Sequence, residues 1–286
     1  MDSDFLKIVS TFRAGTYCLS DEKRVRTIES AINFVNQRGF IFFWPIKGVI
    51  LPSLWVAVAG DRPVANAHDD PGHVTWGWKD SLLGKRKLYY SKILRKKATM
   101  ISLEVAPYFY ALTNNFGSPD DDYLTLYEQG VLTRSAKLIY EALLRDGPMD
   151  TISLRRAVNL TSRESDSRFN RAMLELQNDF KILPVGISQA GGWRYAFIYD
   201  IVASHYPDLP DLASEISESD ARRKLVDLYI CSLGAVPLRE ISRLFQWNLN
   251  DINKTVNTLV TEGKLRRNIQ VENQVGEWIA SSNLLD

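Results

Sequence analysis

Residues 133–200 decide the fold, and they read TRSAKLIYEALLRDGPMDTISLRRAVNLTSRESDSRFNRAMLELQNDFKILPVGISQAGGWRYAFIYD. Three stretches carry apolar residues at helical spacing, and two shorter apolar runs follow them on either side of a glycine pair. These five stretches are residues 136–144, 152–158, 169–180, 182–187 and 193–199. Three helices followed by a hairpin is the order of a winged helix, a helix-turn-helix with a β-ribbon appended. The segment is therefore predicted to be a winged-helix domain.

The same order of elements returns near the C-terminus. Helical spacing predicts three helices, with Pro237 at the first position of the second one, where proline is tolerated, and Gly263 as the C-cap of the third. The predicted elements are helices over 222–232, 238–245 and 249–262 and strands over 265–272 and 277–281. Residues 207–210 contain two prolines and are predicted to link this unit to the preceding one.

The N-terminal part has a less regular pattern. It is predicted to contain a helix capped by Ser20, a second helix opened by Pro52, a loop, a basic helix, and a strand or hairpin. In order, these elements cover residues 21–38, 51–59, 61–72, 79–97 and 99–112. The predicted class is α+β and mainly helical, with tandem winged-helix domains. Their ranges are 1–132 for an elaborated N-terminal winged-helix-like domain, 133–204 for the middle winged helix and 211–286 for the C-terminal winged helix.

Composition places the chain among ordinary folded proteins, since 45% of its 286 residues are hydrophobic and 24% are charged. No apolar run approaches the roughly 18–20 residues that a membrane span needs. The acidic start, residues 1–4, lacks the basic segment of a secretory signal. Cys18 and Cys231 cannot form a disulfide framework or a CxxC metal site. We therefore expect a cytoplasmic protein without a membrane partner.

The net charge is only +1, so any affinity for nucleic acid has to come from local patches. Residues 79–97 contain eight basic residues and one acidic residue, and four aromatic residues, Trp76, Trp78, Tyr89 and Tyr90, lie in or beside this stretch. Cations bind phosphates and aromatic rings stack on bases, which makes the stretch a candidate DNA contact. The alternative is a helix with buried aromatic residues and solvated lysines. The candidate phosphate contacts are Lys85, Arg86, Lys87, Lys92, Arg95, Lys96 and Lys97.

The third helix of a helix-turn-helix enters the major groove of DNA, and its outward face contacts bases and phosphates. In the middle unit, the candidate contacts on that face are Arg163, Arg168, Asn170 and Arg171. In the C-terminal unit, the helix offers Asn253 and Lys254, and the base of the wing offers Arg266 and Arg267. A solvated helix face, or a winged helix that binds protein, is the alternative interpretation of the same residues.

The remaining polar clusters match no known catalytic or metal pattern. Residues 68–73 hold two histidines and two aspartates, but no third ligand stands at a known spacing, so a loop with aspartates that accept backbone hydrogen bonds is favoured. Residues 120–122, three aspartates after a Ser-Pro pair, are predicted to form an exposed loop. The sequence contains no phosphate loop, dinucleotide glycine pattern or nucleophile elbow. We expect no metal and no cofactor.

Two stretches, GFIFFWPIKG at 39–48 and DFKILPVG at 179–186, carry a resemblance to a known family. They resemble the AlkZ-like group, the superfamily of alkylpurine and crosslink-repair DNA glycosylases, and in particular its AlkZ-related branch. The resemblance covers most of the chain. It implies tandem winged helices that hold duplex DNA in a basic channel, hydrolysis of the N-glycosidic bonds of damaged bases by active members, and no requirement for a metal.

The sequence departs from this family at the catalytic motif. Active members carry Gln-x-Gln or Gln-x-Asp on a Gly-x-x-Gln-x-Asp pattern, and placing that pattern on Gly39 puts Phe42 and Trp44 at the two motif positions. Neither side chain can polarise water or take part in acid–base catalysis. The chain is also shorter than typical active members, which carry a further C-terminal β-domain. The residues that would have to substitute are Asp69, Asp70, Asp80 or Glu104.

Three hypotheses follow from these patterns. The first is a protein that binds duplex DNA and lacks the standard glycosylase motif. The second is an active glycosylase that excises alkylated or crosslinked bases with a displaced catalytic residue. The third is a protein-interaction scaffold. The missing motif favours the first over the second, and the basic stretch at residues 79–97 favours the first over the third.

Overall fold

The computed structural model describes residues 2–115, 118–191, 194–272 and 274–285. The chain divides into two compact units. The terminal unit comprises residues 1–77, 100–105 and 218–286, and the central unit comprises residues 78–99 and 106–217. Within the described ranges, no helix combines the length and the apolar character that crossing a lipid bilayer requires.

Helices make up most of the regular structure, with short strands between them. The helices are α1 (Asp2–Thr16), α2 (Ile28–Arg38), α3 (Leu54–Ala59), α4 (Val74–Leu82), α5 (Ala106–Tyr110), α6 (Pro119–Glu128), α7 (Arg134–Asp146), α8 (Thr151–Ala157), α9 (Asp166–Asn178), α10 (Val202–His205), α11 (Leu209–Ser214), α12 (Glu218–Leu233), α13 (Leu238–Phe245), α14 (Leu249–Thr261) and α15 (Ser282–Leu285). The strands are β1 (Phe40–Phe42), β2 (Tyr89–Lys92), β3 (Ala98–Ile101), β4 (Met149–Asp150), β5 (Ile182–Ser188), β6 (Ala196–Ile201), β7 (Ala235–Pro237), β8 (Leu265–Ile269) and β9 (Trp278–Ser281).

The central unit contains the order α7–β4–α8–α9–β5–β6, with an antiparallel sheet in which β6 lies between β4 and β5. The predicted three helices and hairpin are therefore present over this segment. Phe169 and Leu176 of α9 are completely buried, together with Ile139 of α7 and Leu154 of α8. α8 begins where Asp150 Oδ1 accepts hydrogen bonds from the backbone amides of the next turn, at 2.8 and 3.0 Å. Gly192, one of the glycine pair predicted between the two strands, and Trp193, predicted to open the second strand, lie outside the described residues.

The terminal unit repeats this order as α12–β7–α13–α14–β8–β9, and β9 lies between β7 and β8. Its core contains Tyr229 of α12, Leu244 of α13 and Ile252 of α14, none of which reaches solvent. Pro237, predicted at the first position of α13, stands one residue earlier, at the N-cap, and also pairs with Trp278 in the sheet. These two segments, residues 134–201 and 218–281, are called the hairpin units. Each is an antiparallel sheet packed with helices.

The prediction of one helix over residues 79–97 is wrong. α4 ends at Leu82, because Gly84 has a φ of +71° and reverses the chain there. The aromatic residues Tyr89 and Tyr90 then open β2, since aromatic side chains favour strands. The strand or hairpin predicted over residues 99–112 is also only partly right, since the chain forms β3 and then α5.

Most of the other differences between the predicted and the observed elements lie at the starts of helices. Residues 120–122 form the first turn of α6 rather than a loop, because carboxylates are favoured at a helix N-terminus. The predicted linker at 207–210 contains the start of α11. The helix predicted over 21–38 has its regular part in α2, where Thr27 caps the helix in a reciprocal bond with Ser30, and Ser20 makes no side-chain cap. The sequence pattern also did not predict α1 or the short strands β4 and β7.

Two tryptophans of the terminal unit should differ in what they contribute to stability. Trp55 is completely buried and its Nε1 donates a hydrogen bond to the Arg62 carbonyl at 3.1 Å, whereas Trp44 is only half-buried. We expect Trp55→Ala to lower the free energy of unfolding by about 3–5 kcal/mol, and Trp44→Ala to lower it by less than about 2 kcal/mol. Urea unfolding followed by circular dichroism measures both. Equal losses would show that Trp44 is a core residue.

Candidate nucleic-acid interface

The outward face of α9 carries the basic residues that the sequence predicted for it. Arg168 and Arg171 are exposed, and they flank the buried Phe169. Arg163 is exposed in the single 3-10 turn, Arg163–Ser165, that precedes the helix. Within the described residues, these three arginines make no hydrogen bond or ion pair with another group. Three guanidinium groups of the central unit are therefore available to an anionic ligand.

Asn170 lies on the same helix but has a partner of its own. Arg155 of α8 donates to the Asn170 Oδ1 at 3.3 Å and to the Asp166 carboxylate at 2.7 Å. The Arg155 guanidinium also lies 4.1 Å from the centre of the Phe169 ring. Arg155 was not among the predicted site residues, because nothing in the sequence around α8 indicates that its side chain contacts α9 across the turn. It holds the start of α9 and orients the amide of Asn170.

The residues predicted to contact DNA in the C-terminal segment, 211–286, behave differently. Arg267 donates to both carboxylate oxygens of Glu277, at 2.8 and 2.9 Å, and to Asn253 Oδ1 at 3.3 Å. The hydrogen bond to Glu277 raises the pKa of Arg267, and the same bond lowers the pKa of Glu277, so both groups stay charged and neutralise each other. Arg267 and Asn253 therefore serve the structure of the hairpin. Lys254 and Arg266 remain exposed.

The basic stretch is distributed over a turn, a strand and a 3-10 turn of the central unit. Three of its cations, Lys85, Arg86 and Lys87, are exposed on the turn that Gly84 opens. A Cβ on Gly84 would lie 2.5 Å from the carbonyl oxygen of Val185, so this glycine is what allows the turn to approach β5 so closely.

The rest of the basic stretch begins with Lys92, the last residue of β2. Lys92, Lys96 and Lys97 are exposed, and Arg95 is half-buried with a φ of +55°. Partial burial lowers the pKa of Lys92, and the positive charge of Lys97 lowers it further. Like charges therefore face one another on this part of the unit, and phosphate is the kind of group that would relieve their repulsion.

Lys79 does not belong to this exposed set. Its side chain is 1% exposed, its Nζ donates to the Tyr195 hydroxyl at 2.7 Å, and the Asp80 carboxylate lies 2.7 Å away. Tyr195 donates in turn to Asp80 at 2.8 Å, and the ammonium lies 4.5 Å from the centre of the Phe197 ring. Burial lowers the pKa of Lys79, which marks the cost of enclosing the ammonium. Sequence analysis did not connect Tyr195 with Lys79, because they stand 116 residues apart.

The His68–His73 segment is a loop that ends in a 3-10 turn. Asp70 Oδ1 accepts hydrogen bonds from the Gly72 amide at 2.8 Å and from Arg62 at 2.6 Å, as the favoured loop interpretation expected of an aspartate. The bond from Arg62 lowers the pKa of Asp70. His73 Nε2 lies 2.9 Å from the Ala65 carbonyl oxygen. In the described part of the chain, no three His, Cys, Asp or Glu side chains are grouped so that they can hold a metal ion.

The two motif positions are aromatic and differ in exposure. Phe42 is completely buried in β1, where its amide donates to the Pro52 carbonyl at 2.9 Å. Trp44 is half-buried, and its ring lies 5.6 Å from Phe43 and 5.4 Å from Trp76, centre to centre. The apolar run that starts at Phe40 is therefore buried only as far as Phe43, and the chain reaches the surface at Trp44.

The possible substitutes for the missing motif are placed in different surroundings. Asp70 is bound to Arg62, and Asp80 to Lys79 and Tyr195. Asp69 and Glu104 are exposed to solvent. The hydrogen bond from Arg62 lowers the pKa of Asp70, so Asp70 is a poor proton donor near neutral pH.

Comparisons with known proteins relate this geometry to a family. No curated protein matches the chain. Among solved structures, the chain is similar to the DNA glycosylase AlkZ of Streptomyces sahachiroi, with a TM-score of 0.59 and 13% sequence identity over 97% of this chain and 70% of that one. At this identity the likeness shows a common fold. The model of the family described as AlkZ related matches residues 25–246. The chain belongs to the AlkZ related family.

Proposed function

We propose that the chain binds duplex DNA through winged-helix units and lacks the standard glycosylase reaction. The observation that carries the proposal is a cationic surface formed by Arg168 and Arg171 of α9 and by Arg163 of the 3-10 turn before it, all unpaired in the described chain. Arginine binds phosphate and reads guanine, and this helix is the third of its unit, the one that enters the major groove in a helix-turn-helix.

The winged-helix assignment rests on the repeated order of elements. Helix, strand, two helices and a hairpin occur in both hairpin units, with the returning strand in the middle of each sheet. We assign winged-helix domains to residues 133–204 and 211–286. We also propose an elaborated N-terminal domain of the same kind over residues 1–132, which the two compact units divide between them.

The clustering of cations also favours DNA over a protein partner. Protein interfaces are depleted in lysine, whereas grouped lysine and arginine side chains bind a phosphate backbone. The central unit carries the arginines in and before α9 and a second group of cations, two of them lysines, on the turn at residues 85–87. The membership of the AlkZ related family supports a role in DNA repair, because the solved structure that the chain resembles is that of a DNA glycosylase.

The chemistry is where the chain should differ from an active glycosylase. Hydrolysis of a glycosidic bond needs a group that activates water or stabilises the developing sugar cation. The motif positions supply a buried phenyl ring and a half-buried indole, Phe42 and Trp44, which can do neither. A displaced catalyst among Asp69, Asp70, Asp80 and Glu104 is the alternative function.

Binding to duplex DNA should be strongly dependent on salt. Each neutralised phosphate contributes about −0.9 to the slope of the logarithm of the binding constant against the logarithm of salt concentration. We expect a slope of about −2.7 or steeper, because one phosphate neutralised by each of Arg163, Arg168 and Arg171 already gives that value. Fluorescence anisotropy of a labelled duplex over a salt series measures it. A flat response, or no binding at low salt, would contradict the proposal.

Single arginine changes should separate DNA contact from structure. Arg168→Ala and Arg171→Ala should each weaken DNA binding and change the free energy of unfolding by less than about 0.5 kcal/mol, since both side chains are exposed and unpaired in the described chain. Arg267→Ala should instead cost about 1–3 kcal/mol of stability, because Glu277 loses its partner. Binding titrations and urea unfolding on each variant test this.

Arg145 provides the matched control for these variants. It is exposed on α7 in the same unit and already paired with Asp146, so Arg145→Ala removes one positive charge away from α9. DNA binding should be nearly unchanged in this variant. If it weakens binding as much as Arg168→Ala does, general charge, and not the α9 face, determines the affinity.

The wild-type protein should not excise 7-methylguanine or a nitrogen-mustard crosslink. The assay is alkaline cleavage of a lesion-bearing oligonucleotide under single-turnover conditions with excess protein. The expected result is an intact strand. Strand scission that disappears when one of Asp69, Asp70, Asp80 or Glu104 is made neutral would establish the displaced-catalyst alternative instead.

A further inference from the structure

The surface of the terminal unit has an exposed aromatic and aliphatic patch that the fold does not cover. Trp76 is 36% exposed and Val74 is 44% exposed, both at the start of α4. Trp44 is half-buried beside Trp76, with 68° between the ring planes, and Phe43 lies under both, 5.6 Å from Trp44 and 6.0 Å from Trp76. Large aromatic side chains normally contribute most when buried, so their exposure together indicates a binding surface.

The indole of Trp44 makes ring contacts with Phe43 and Trp76. Its Nε1–H is buried and has no acceptor in the described part of the chain. Trp55, in the core of the same unit, shows the usual arrangement, since its Nε1 donates to the Arg62 carbonyl. An unpaired buried N–H is destabilising. Trp44 therefore loses no hydrogen bond when its ring tilts, and a ligand that brings an acceptor stabilises it.

The segment that follows Trp44 in the chain carries positive charge. Residues 45–50, PIKGVI, contain Lys47 and no acidic residue. Lys47 is exposed and has no partner in the described chain. Arg243 lies within 3.2 Å of the Gly48 carbonyl oxygen, and the carboxylate it pairs with, Glu240, is buried. Aromatic faces next to cations are the features that bind a single-stranded or unpaired nucleotide.

We propose that Trp44 and Trp76 form a stacking platform for an unpaired nucleobase, with Lys47 at the adjoining phosphate. This inference rests on the proposed binding to duplex DNA and adds the kind of DNA that is preferred. Every base has a flat face that stacks, so the platform selects for the unpaired state rather than for one base or one lesion. It retains the base and does not cleave it.

The test compares a fully paired duplex with the same duplex carrying one unpaired nucleotide, at one salt concentration. The wild type is expected to bind the bulged duplex at least about fivefold more tightly, the lower end of what one base–aromatic stack supplies. Trp76→Ala should lose this preference and keep its affinity for the paired duplex. Trp76→Phe, which keeps a ring, should retain much of it. Lys47→Ala should weaken binding to the bulged duplex more than to the paired one.

Tyr127 of α6 is the matched control, because its ring is also 36% exposed and stands in the central unit. Tyr127→Ala should keep the preference for the bulged duplex. Circular dichroism and urea unfolding show whether Trp76→Ala is folded. If it is not, the affinities for the two duplexes are compared with Trp76→Phe instead.

The other outcomes overturn the platform. Equal affinity of the wild type for both duplexes contradicts the platform but leaves the proposed binding to DNA in place. Failure to bind either duplex overturns the proposed function as well. A preference that survives in both Trp76 variants and in Trp44→Ala places the base elsewhere. Sedimentation that shows a wild-type dimer, and a monomer for Trp76→Ala, identifies a second copy of the chain as the occupant of the patch.

Discussion

The burial of Phe169 and Leu176 against α7 determines how the residues around them on α9 are oriented. Once these two side chains lie in the core, helical geometry places Arg168 and Arg171 in solvent. The cost of this arrangement is small, because long basic side chains are well hydrated at a surface. One apolar stripe therefore produces both the stability of the central unit and the cationic face on which its proposed function depends. Arg155 links the core to this face, because its guanidinium packs over Phe169 and also orients Asn170 by a hydrogen bond.

The two hairpin units share an order of elements and differ in how they use charge. In the central unit the basic side chains of the third helix have no partner in the described chain, whereas the hairpin arginine of the terminal unit, Arg267, is bound to Glu277. A common topology thus says little about which unit contacts a ligand. A guanidinium group that is already neutralised by a carboxylate is less available to a ligand. Only the contacts of individual side chains show which groups are neutralised.

Helical periodicity predicted α7, α8, α9, α13 and α14 well, because each buries one stripe of apolar residues against neighbours close in sequence. It failed over residues 79–97, where several apolar residues are buried for different reasons and Gly84 reverses the chain. The exposed arginines of α9 followed from the same periodicity. The partners of Lys79, Asn170 and Arg267 did not, since the hydrogen bonds that engage them join separate elements of the chain. The family resemblance identified the aromatic motif positions but not that Trp44, unlike Phe42, reaches the surface.

The close approach of Gly84 to the Val185 carbonyl has a consequence for the entropy of binding. A run of lysines and arginines on a loose tail has to lose much of its conformational freedom when it meets a polyanion. Here the turn that carries Lys85, Arg86 and Lys87 begins at Gly84, whose backbone lies against β5 in the absence of a ligand, so that less backbone freedom remains to be lost. In the proposed binding to DNA the turn would in this sense be preorganised, and the glycine that makes the approach possible would contribute to recognition without contacting phosphate.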